Sequence, residues 1–222
     1  MVIRTDQRQI SGFLTAFVVI ALVLLLHDYL FADYFGIYEN DYIWVMTLAP
    51  MSWSFQDLCH TLGEIWSQWI LYQGRPLGFS LNAIIAYISG KAPSLCLGYA
   101  IGYVIFLLNG CLLFKVLRKV LPFAGSLVGA LAYVTFVADA AAVILMHRLL
   151  HLSMTFLLIA ILLYQRRSYA LGYLVATFSL FTYEAFYLPF LIAPVLRRDF
   201  RNRAFEPLSF IGYYSLELRA QS

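Results

Sequence analysis

The chain has 222 residues, of which 62% are apolar and 12% are charged, and its formal net charge is +3. A soluble domain is about 45–50% apolar and about 25% charged, and a globule of this size could not bury so much apolar surface in one core. The composition therefore excludes a soluble enzyme, a disulfide-rich secreted module and a disordered chain, and it predicts an integral membrane protein.

Five long apolar segments predict the membrane helices, and they follow one another as 11–27, 92–114, 120–137, 149–164 and 169–196. The first is preceded by Arg4 and Arg8, as a signal peptide would be, but no small-residue cleavage site follows it, so we interpret it as an uncleaved span. The last is long enough to form a hairpin bent near Glu184. The prediction is an all-α polytopic membrane protein with about six membrane-embedded helices.

The apolar run 77–90 is too short to span a membrane, because at 1.5 Å per residue it covers roughly 21 Å of a hydrocarbon core about 30 Å thick. If it stays outside and 169–196 is a hairpin, eleven basic residues are cytoplasmic and three are outside. The cytoplasmic set is Arg4, Arg8, Lys115, Arg118, Lys119, Arg166, Arg167, Arg197, Arg198, Arg201 and Arg203, and the outer set is Arg75, Lys91 and Arg148. If instead 77–90 crosses the membrane and 169–196 is one straight helix, eight basic residues are cytoplasmic and six are outside. The first arrangement separates the charges better, so the sequence predicts a cytoplasmic N-terminus and a re-entrant-type helix at 77–90.

The segment 28–92 is then an outer loop, and it contains all four tryptophans of the chain: Trp44, Trp53, Trp66 and Trp69. From Phe55 to Ile70, apolar residues recur at steps of three and four while polar residues fill the opposite face. This periodicity predicts an amphipathic helix lying in the membrane interface, apolar side down. Aromatic residues mark any membrane interface, but flat aromatic faces also stack on sugar rings, and the sequence leaves both interpretations open.

Two carboxylates of the outer loop, Glu39 and Asp41, lie in the motif Tyr-Glu-Asn-Asp-Tyr at 38–42. A carboxylate at a membrane surface can take a proton from an incoming hydroxyl if burial raises its basicity. A solvated acidic loop is the alternative that local sequence favours, because perturbed carboxylates are rare.

Arg75 lies in the motif Gly-Arg-Pro-Leu-Gly at 74–78, at the start of the short apolar run. Arginine offers a planar fork of donors suited to a phosphate, and proline and glycine fix the backbone that aims it. Proline also suits the first position of a helix. An interfacial arginine that reaches lipid headgroups explains the residue equally well.

Four further polar residues lie close to apolar segments. His147 and His151 share one helical face, but no third metal ligand follows at the usual spacing, so we predict no metal there. Arg148 or His147 could meet a lipid phosphate at the outer interface, although simple anchoring of a helix end explains them too. Glu184 lies in the middle of an apolar stretch, where a charge is costly and usually functional, and the hairpin would bring it near Arg148 or Arg75.

The order of the parts along the chain is informative. A first span is followed by an acidic outer motif, an interfacial helix and a Gly-Arg-Pro-Leu-Gly motif that opens a short apolar helix. This order resembles the GT-C superfamily of membrane glycosyltransferases, above all the bacterial branch that uses polyprenyl-phosphate sugars and includes O-antigen glucosyltransferases and aminoarabinose or mannosyl transferases. The segments 147–151 and 181–186 resemble that branch as well, and the likeness covers roughly residues 10–200.

The resemblance implies a sugar transfer at the outer face of the membrane, from a polyprenyl-phosphate donor to a lipid or glycan acceptor, by an inverting single displacement. It implies that Asp41 is the catalytic base, with Glu39 as the alternative, and that Arg75 stabilises the departing phosphate. His147, Arg148, Tyr183 and Glu184 would line the substrate pocket. No cofactor is implied, a divalent metal at Glu39 and Asp41 is left open, and nothing predicts a nucleic-acid partner.

The predicted domain organisation is a transmembrane domain over 1–203, whose outer loop carries the candidate site, and a tail over 204–222 that resembles an incomplete further span. GT-C families typically carry more spans and a longer C-terminal part, which predicts a truncated member or one without the acceptor-binding part. The alternative is a non-enzymatic membrane protein, such as a lipid-carrier translocase subunit or an assembly partner. A translocase should carry polar residues along several spans, and we expect few here, facing outward.

Overall fold

The computed structural model describes residues 2–29, 54–68, 70–90, 96–135 and 148–193, and all regular structure within these ranges is helical. The α-helices are α1 (Val2–Leu24), α2 (Phe55–Ser67), α3 (Pro76–Gly90), α4 (Cys96–Leu117), α5 (Phe123–Val134), α6 (Arg148–Gln165) and α7 (Tyr169–Thr182). A π-helical turn, Leu25–Tyr29, continues α1, and two 3₁₀ turns, Glu184–Phe186 and Leu188–Ile192, follow α7. The prediction of an all-α chain is confirmed for this part of the sequence.

Two of the described helices are long and apolar enough to cross a membrane: Ile10–His27 in α1 with its π turn, and Leu97–Leu117 in α4. The remaining apolar helices are shorter, and they are Pro76–Ser89, Phe123–Val134, His151–Gln165 and Tyr169–Thr182. The predicted span 120–137 contains a helix of only 12 residues, because Pro122 delays its start. The count of six membrane-embedded helices stays a prediction.

The helices α1 and α4 pack antiparallel. The Lys115 ammonium lies 4.2 Å from the centre of the Phe13 ring, and further along the same pair the Tyr103 hydroxyl donates to the carbonyl oxygen of Ala21 at 3.0 Å. The first half of α1 therefore lies beside the last turns of α4. A core formed by apolar residues of α1, α4 and α5 fills this side of the bundle.

The helices α4 and α6 run parallel, and α7 returns antiparallel to α6. In the first pair, the rings of Phe106 and His151 meet, and one turn later on both helices the side chains of Asn109 and Thr155 meet. In the second pair, Ser153 bonds Ser179, and the rings of Tyr164 and Tyr169 lie 4.9 Å apart at the turn. A second core, formed by α4, α6, α7 and the chain after α7, fills this side.

These directions bring five basic residues to one end of the bundle, since α4 and α6 finish together there. We call this the basic end, and its members are Lys115, Arg118, Lys119, Arg166 and Arg167. The start of α1 lies at the same end, because α1 opposes α4. The end of α7 lies at the other end, which we call the Arg75 end. The positions that the charge count assigned to the cytoplasm therefore share one end wherever the structure describes them.

The predicted interfacial helix is α2, but its apolar face is divided. Leu58 and Ile65 are buried against α3, in a third cluster that includes Phe79. Phe55 and Trp66 stay 69% and 53% exposed. One half of the apolar face therefore packs against α3, and only the other half is exposed.

The helix α2 begins at a capping box. The Ser54 hydroxyl accepts the backbone N–H of Asp57, and the Asp57 carboxylate accepts the backbone N–H of Ser54. A cap of this kind satisfies two donors that a helix start otherwise leaves unpaired, so the first turn of α2 is locally specified.

The expectation that interior polar residues are few and face outward was wrong. Asn109, His151 and Thr155 are buried between α4, α5 and α6, where the Asn109 amide donates to the His151 carbonyl at 2.8 Å. The Thr155 hydroxyl donates to the Asn109 side-chain carbonyl at 2.7 Å, and the Tyr133 hydroxyl lies 3.0 Å from His151 Nδ1. These groups bond across helices, which is how polar residues join helices in an apolar surrounding.

Candidate functional site

The site is centred on Arg75, and the backbone before it is unusual. Gln73 and Gly74 both have positive φ angles, 56° and 72°, so the chain reverses sharply after the turn that follows α2. Pro76 is the first residue of α3, where its fixed φ and missing N–H cost nothing. Glycine and proline thus set the direction in which Arg75 leaves the backbone, as the sequence predicted.

The second glycine of the motif serves a different purpose. A Cβ at Gly78 would lie 2.5 Å from the carbonyl oxygen of Thr182, which is the last residue of α7. The first turn of α3 therefore packs directly on the backbone at the end of α7. This close approach brings Arg75 within reach of the residues that follow Thr182.

The other side of the site is formed where α7 stops. Tyr183 is extended, with φ −161° and ψ 112°, and a 3₁₀ turn begins at Glu184. The chain then folds back, because the Phe190 ring lies 5.5 Å from that of Tyr173 and 5.9 Å from that of Tyr164. The bend predicted near Glu184 is thus present, and 169–196 is not one straight helix.

A buried serine stabilises this break. The Ser153 hydroxyl on α6 lies 2.9 Å from the Ser179 hydroxyl and 3.1 Å from the carbonyl oxygen of Tyr183. Ser179 in turn donates to the Ser153 carbonyl at 2.9 Å. Because Tyr183 leaves the helix, its carbonyl needs a partner outside α7, and Ser153 is placed to supply one.

Arg75 and Glu184 form a bidentate ion pair. The Arg75 Nε lies 2.6 Å from one carboxylate oxygen of Glu184, and Nη2 lies 2.5 Å from the other. The guanidinium also stacks on Tyr183, with its central carbon 4.2 Å from the ring centre. Parallel N–H···O bonds of this kind are the strongest geometry available to an arginine and a carboxylate.

The two partners differ in exposure. The Arg75 side chain is 20% exposed, whereas that of Glu184 is 55% exposed. The hydrogen bond from Arg75 lowers the pKa of Glu184, against a smaller opposing effect of burial. The same hydrogen bond raises the pKa of Arg75. Both groups are therefore charged at neutral pH, and the cation is the less hydrated of the two.

The arrangement suits recognition of an anion at the Arg75 end of the bundle. A guanidinium has five N–H donors, and Glu184 engages two of its nitrogens. A guanidinium fork that is aimed by its backbone and stacked on a ring is a typical partner for a phosphate.

Of the residues that the sequence singled out, the structure brings Arg75, Tyr183 and Glu184 together. Arg148 is the first residue of α6, which starts at the same end of the bundle, but its side chain is outside the described part. The positions of Glu39, Asp41 and His147 also lie outside the described residues. No group of three or more histidine, cysteine, aspartate or glutamate residues that could hold a metal occurs within the described ranges.

Sequence reasoning placed Gly78 in the motif at 74–78 without its contact to α7, and it missed Ser153. A glycine in the first turn of a helix is a weak signal for close backbone approach. A serine in an apolar helix is a weak signal for a bond to a neighbouring helix. Neither signal indicates which segment the residue contacts. In the structure, both Gly78 and Ser153 contact the end of α7.

We compared the chain with models of known protein families, with curated proteins and with solved structures, and no match was found. The described residues therefore define only a class, in which the regular structure is helical and two of the helices are long and apolar enough to cross a membrane.

Proposed function

We propose that this protein is a membrane glycosyltransferase of the GT-C type. It moves a sugar from a polyprenyl-phosphate donor to a lipid or glycan acceptor of the cell envelope. Asp41 takes the proton from the acceptor hydroxyl as the sugar moves to it, and the donor phosphate leaves with the bonding electrons. Arg75 neutralises the charge that grows on that phosphate.

The observation that carries the proposal is the setting of Arg75. Its side chain is only 20% exposed, and its guanidinium is stacked on Tyr183 and aimed by Gly74 and Pro76, at the end of the bundle opposite the basic end. A lipid headgroup anchor needs none of these features, since a flexible exposed arginine suffices. An oriented cation suits a substrate phosphate better.

The proposed location is the inner or plasma membrane, crossed several times, with a cytoplasmic N-terminus and 28–92 outside. The separation of basic residues from the Arg75 end supports this orientation. The exposed half of the apolar face of α2, with Phe55 and Trp66, supports contact with the interface at the outer side.

The test is a transfer assay in membranes, with a panel of polyprenyl-phosphate donors carrying glucose, mannose or aminoarabinose. We expect Asp41→Asn to lower the transfer rate by about 10²–10⁴-fold, because a general base contributes about this much. Arg75→Gln should lower it by about 10²–10³-fold, as loss of a donor to developing negative charge does.

Two matched variants serve as controls. Glu64→Gln removes an exposed carboxylate from α2, and Arg166→Gln removes an exposed cation from the basic end. Both should transfer at the wild-type rate. Full transfer by Asp41→Asn at normal expression contradicts the role of Asp41. Full transfer by Arg75→Gln contradicts the role of Arg75 in binding the donor phosphate.

A second candidate function is that of a non-enzymatic lipid-carrier translocase subunit. The buried polar groups of α4, α5 and α6 favour it, because a translocase needs polar residues inside the bundle. Their hydrogen bonds to one another favour a structural role instead. Movement of a fluorescent polyprenyl phosphate across vesicles, unchanged by Asp41→Asn and without any sugar transfer, would identify the translocase.

A further inference from the structure

The Arg75 guanidinium, stacked on Tyr183, forms the proposed phosphate-binding site, which we call the phosphate seat. We propose that the Glu184 carboxylate occupies this seat in the ligand-free protein and leaves it when a phosphate binds. The phosphate is that of the donor lipid, so the inference rests on the proposed function. Glu184 is then a built-in competitor of the substrate, rather than a residue that positions Arg75. The two roles predict opposite effects of removing its charge.

The position of Arg75 does not depend on Glu184 alone. Its side chain is four-fifths buried, its guanidinium rests on the Tyr183 ring, and its backbone is held between Gly74 at positive φ and Pro76. These restraints persist when the carboxylate departs. The seat is therefore preformed, which lowers the cost of binding a new anion in it.

Glu184 is the partner that can leave. More than half of its side chain is already in water, and it begins a 3₁₀ turn of only three residues, Glu184–Phe186. A rotation of the side chain returns the carboxylate to solvent and breaks two hydrogen bonds. Exposed ion pairs contribute little to stability, so this step is cheap.

The phosphate that remains when the sugar has left is a stronger ligand for the guanidinium than a carboxylate is. It is a monoester with three acceptor oxygens and a charge of about −1.5 to −2 at pH 7, whereas the donor before transfer is a diester with a single negative charge. Without a ligand, Glu184 supplies the counter-ion of Arg75, whose side chain is 20% exposed. The exchange replaces one counter-ion by another, so Arg75 is never left unpaired.

The expected cost of this competition is small but measurable. Removing the carboxylate removes the competitor, so Glu184→Gln should bind an isoprenyl phosphate about two- to fivefold more tightly, which is the range that an exposed ion pair supplies. Glu184→Ala should show the same direction, and it keeps the test valid if one of the two variants folds poorly. Arg75→Gln should bind at least tenfold more weakly, since a charged hydrogen-bond partner is lost.

The experiment measures binding of farnesyl phosphate to the full chain in detergent, with farnesol and inorganic phosphate as separate arms. Farnesol tests the lipid without its phosphate, and inorganic phosphate tests the anion without its lipid. Farnesyl phosphate should bind more tightly than either, which identifies the lipid-linked source. Inorganic phosphate binding as tightly as farnesyl phosphate overturns that source. Glu64→Gln is the matched control and should bind as the wild type does.

The outcomes separate the two proposals. If Arg75→Gln binds farnesyl phosphate as tightly as the wild type, the phosphate seat is wrong and the proposed function loses its support. If Arg75→Gln weakens binding and both Glu184 variants bind equally to or more weakly than the wild type, the seat stands. In that case Glu184 positions Arg75 or has no role, and the competitor proposal is overturned.

Discussion

Gly78 in the first turn of α3 packs directly on the carbonyl oxygen of Thr182 at the end of α7, so that a Cβ at position 78 would lie 2.5 Å from that oxygen. Real Cβ atoms do not approach a backbone oxygen so closely, and neither helix can yield at this point without moving its neighbour. The contact joins the two segments that supply the ion pair of the site, Arg75 before α3 and Glu184 after α7.

The first prediction follows from this contact. Gly78→Ala should destabilise the protein by about 1–3 kcal/mol, because overpacking at a backbone contact forces the two helices apart. Gly63→Ala is the matched control, since a Cβ at Gly63 on α2 meets nothing within 4 Å. Alanine is the better helix former there, so this variant should be unchanged or slightly more stable. Thermal unfolding in detergent measures both, and equal stability of the two variants would contradict the close packing.

The ion pair gives a prediction in pH. The pKa of Glu184 is lowered in the folded protein, so its contribution is complete above the pKa of the unfolded carboxyl, about 4.3, and is lost as the pH falls through the lower folded value. At pH 7 the wild type should exceed Glu184→Gln in stability by up to about 1 kcal/mol, since the carboxylate is largely exposed.

The same difference should shrink toward zero as the pH falls through the lowered pKa of Glu184, because the protonated glutamate resembles glutamine. Unfolding of both proteins in one detergent, across this pH range, checks it. A difference that grows as the pH falls would show that the sign is wrong. In the Arg75→Gln variant, the contribution of Glu184 to stability should no longer depend on pH in this range, because the partner that lowers its pKa is gone.

The buried polar cluster provides a third test. Thr155→Val removes the hydroxyl that bonds Asn109 across the helix interface, and it should cost about 1–2 kcal/mol. Thr177→Val is the matched control, because the Thr177 hydroxyl bonds the carbonyl of Tyr173 within its own helix. Its cost should stay within about 0.5 kcal/mol. If the two variants are equally stable, the bond between α4 and α6 contributes nothing.

The orientation of the basic end can be measured by reporter fusions. An enzyme that is active only outside the cytosol should be inactive when fused after Arg118 or after Arg167, because both positions belong to the basic end. Fusion after Gly74 should give activity. Activity after Arg118 would overturn the count of eleven basic residues against three. Activity after only one of Arg118 and Arg167 would contradict the shared end that the helix directions require.

Two elements of the site could be predicted from the sequence. Pro76 at the first position of α3 depends on consecutive residues, and the bend near Glu184 was predicted from the length of 169–196 and from the charge count. The isolated charge in an apolar stretch also pointed to a partner of opposite sign. The sequence offered two arginines for that partner, Arg148 and Arg75, and had no means to choose between them.

The division of the α2 face shows why the rest was not predictable. Periodicity places Leu58, Ile65, Phe55 and Trp66 on one broad apolar arc, and it does not distinguish residues that pack on a helix from residues left for lipid. That choice depends on where α3 lies. The buried polar groups were misjudged for the same reason, since Asn109 faces the interior only because α5 and α6 enclose it.

The sequence by itself determined that the described residues are helical, that the composition is more apolar than that of a soluble domain, that the basic residues fall in groups, and where the short helix begins. These properties follow from composition, periodicity and the backbone limits of glycine and proline, which act over a few residues. Only the tertiary structure decided that Arg75 pairs with Glu184, because the two are 109 positions apart. Their meeting depends on Gly78, which lets α3 touch the end of α7, and on Ser153, whose hydroxyl donates to the Tyr183 carbonyl oxygen at the end of α7.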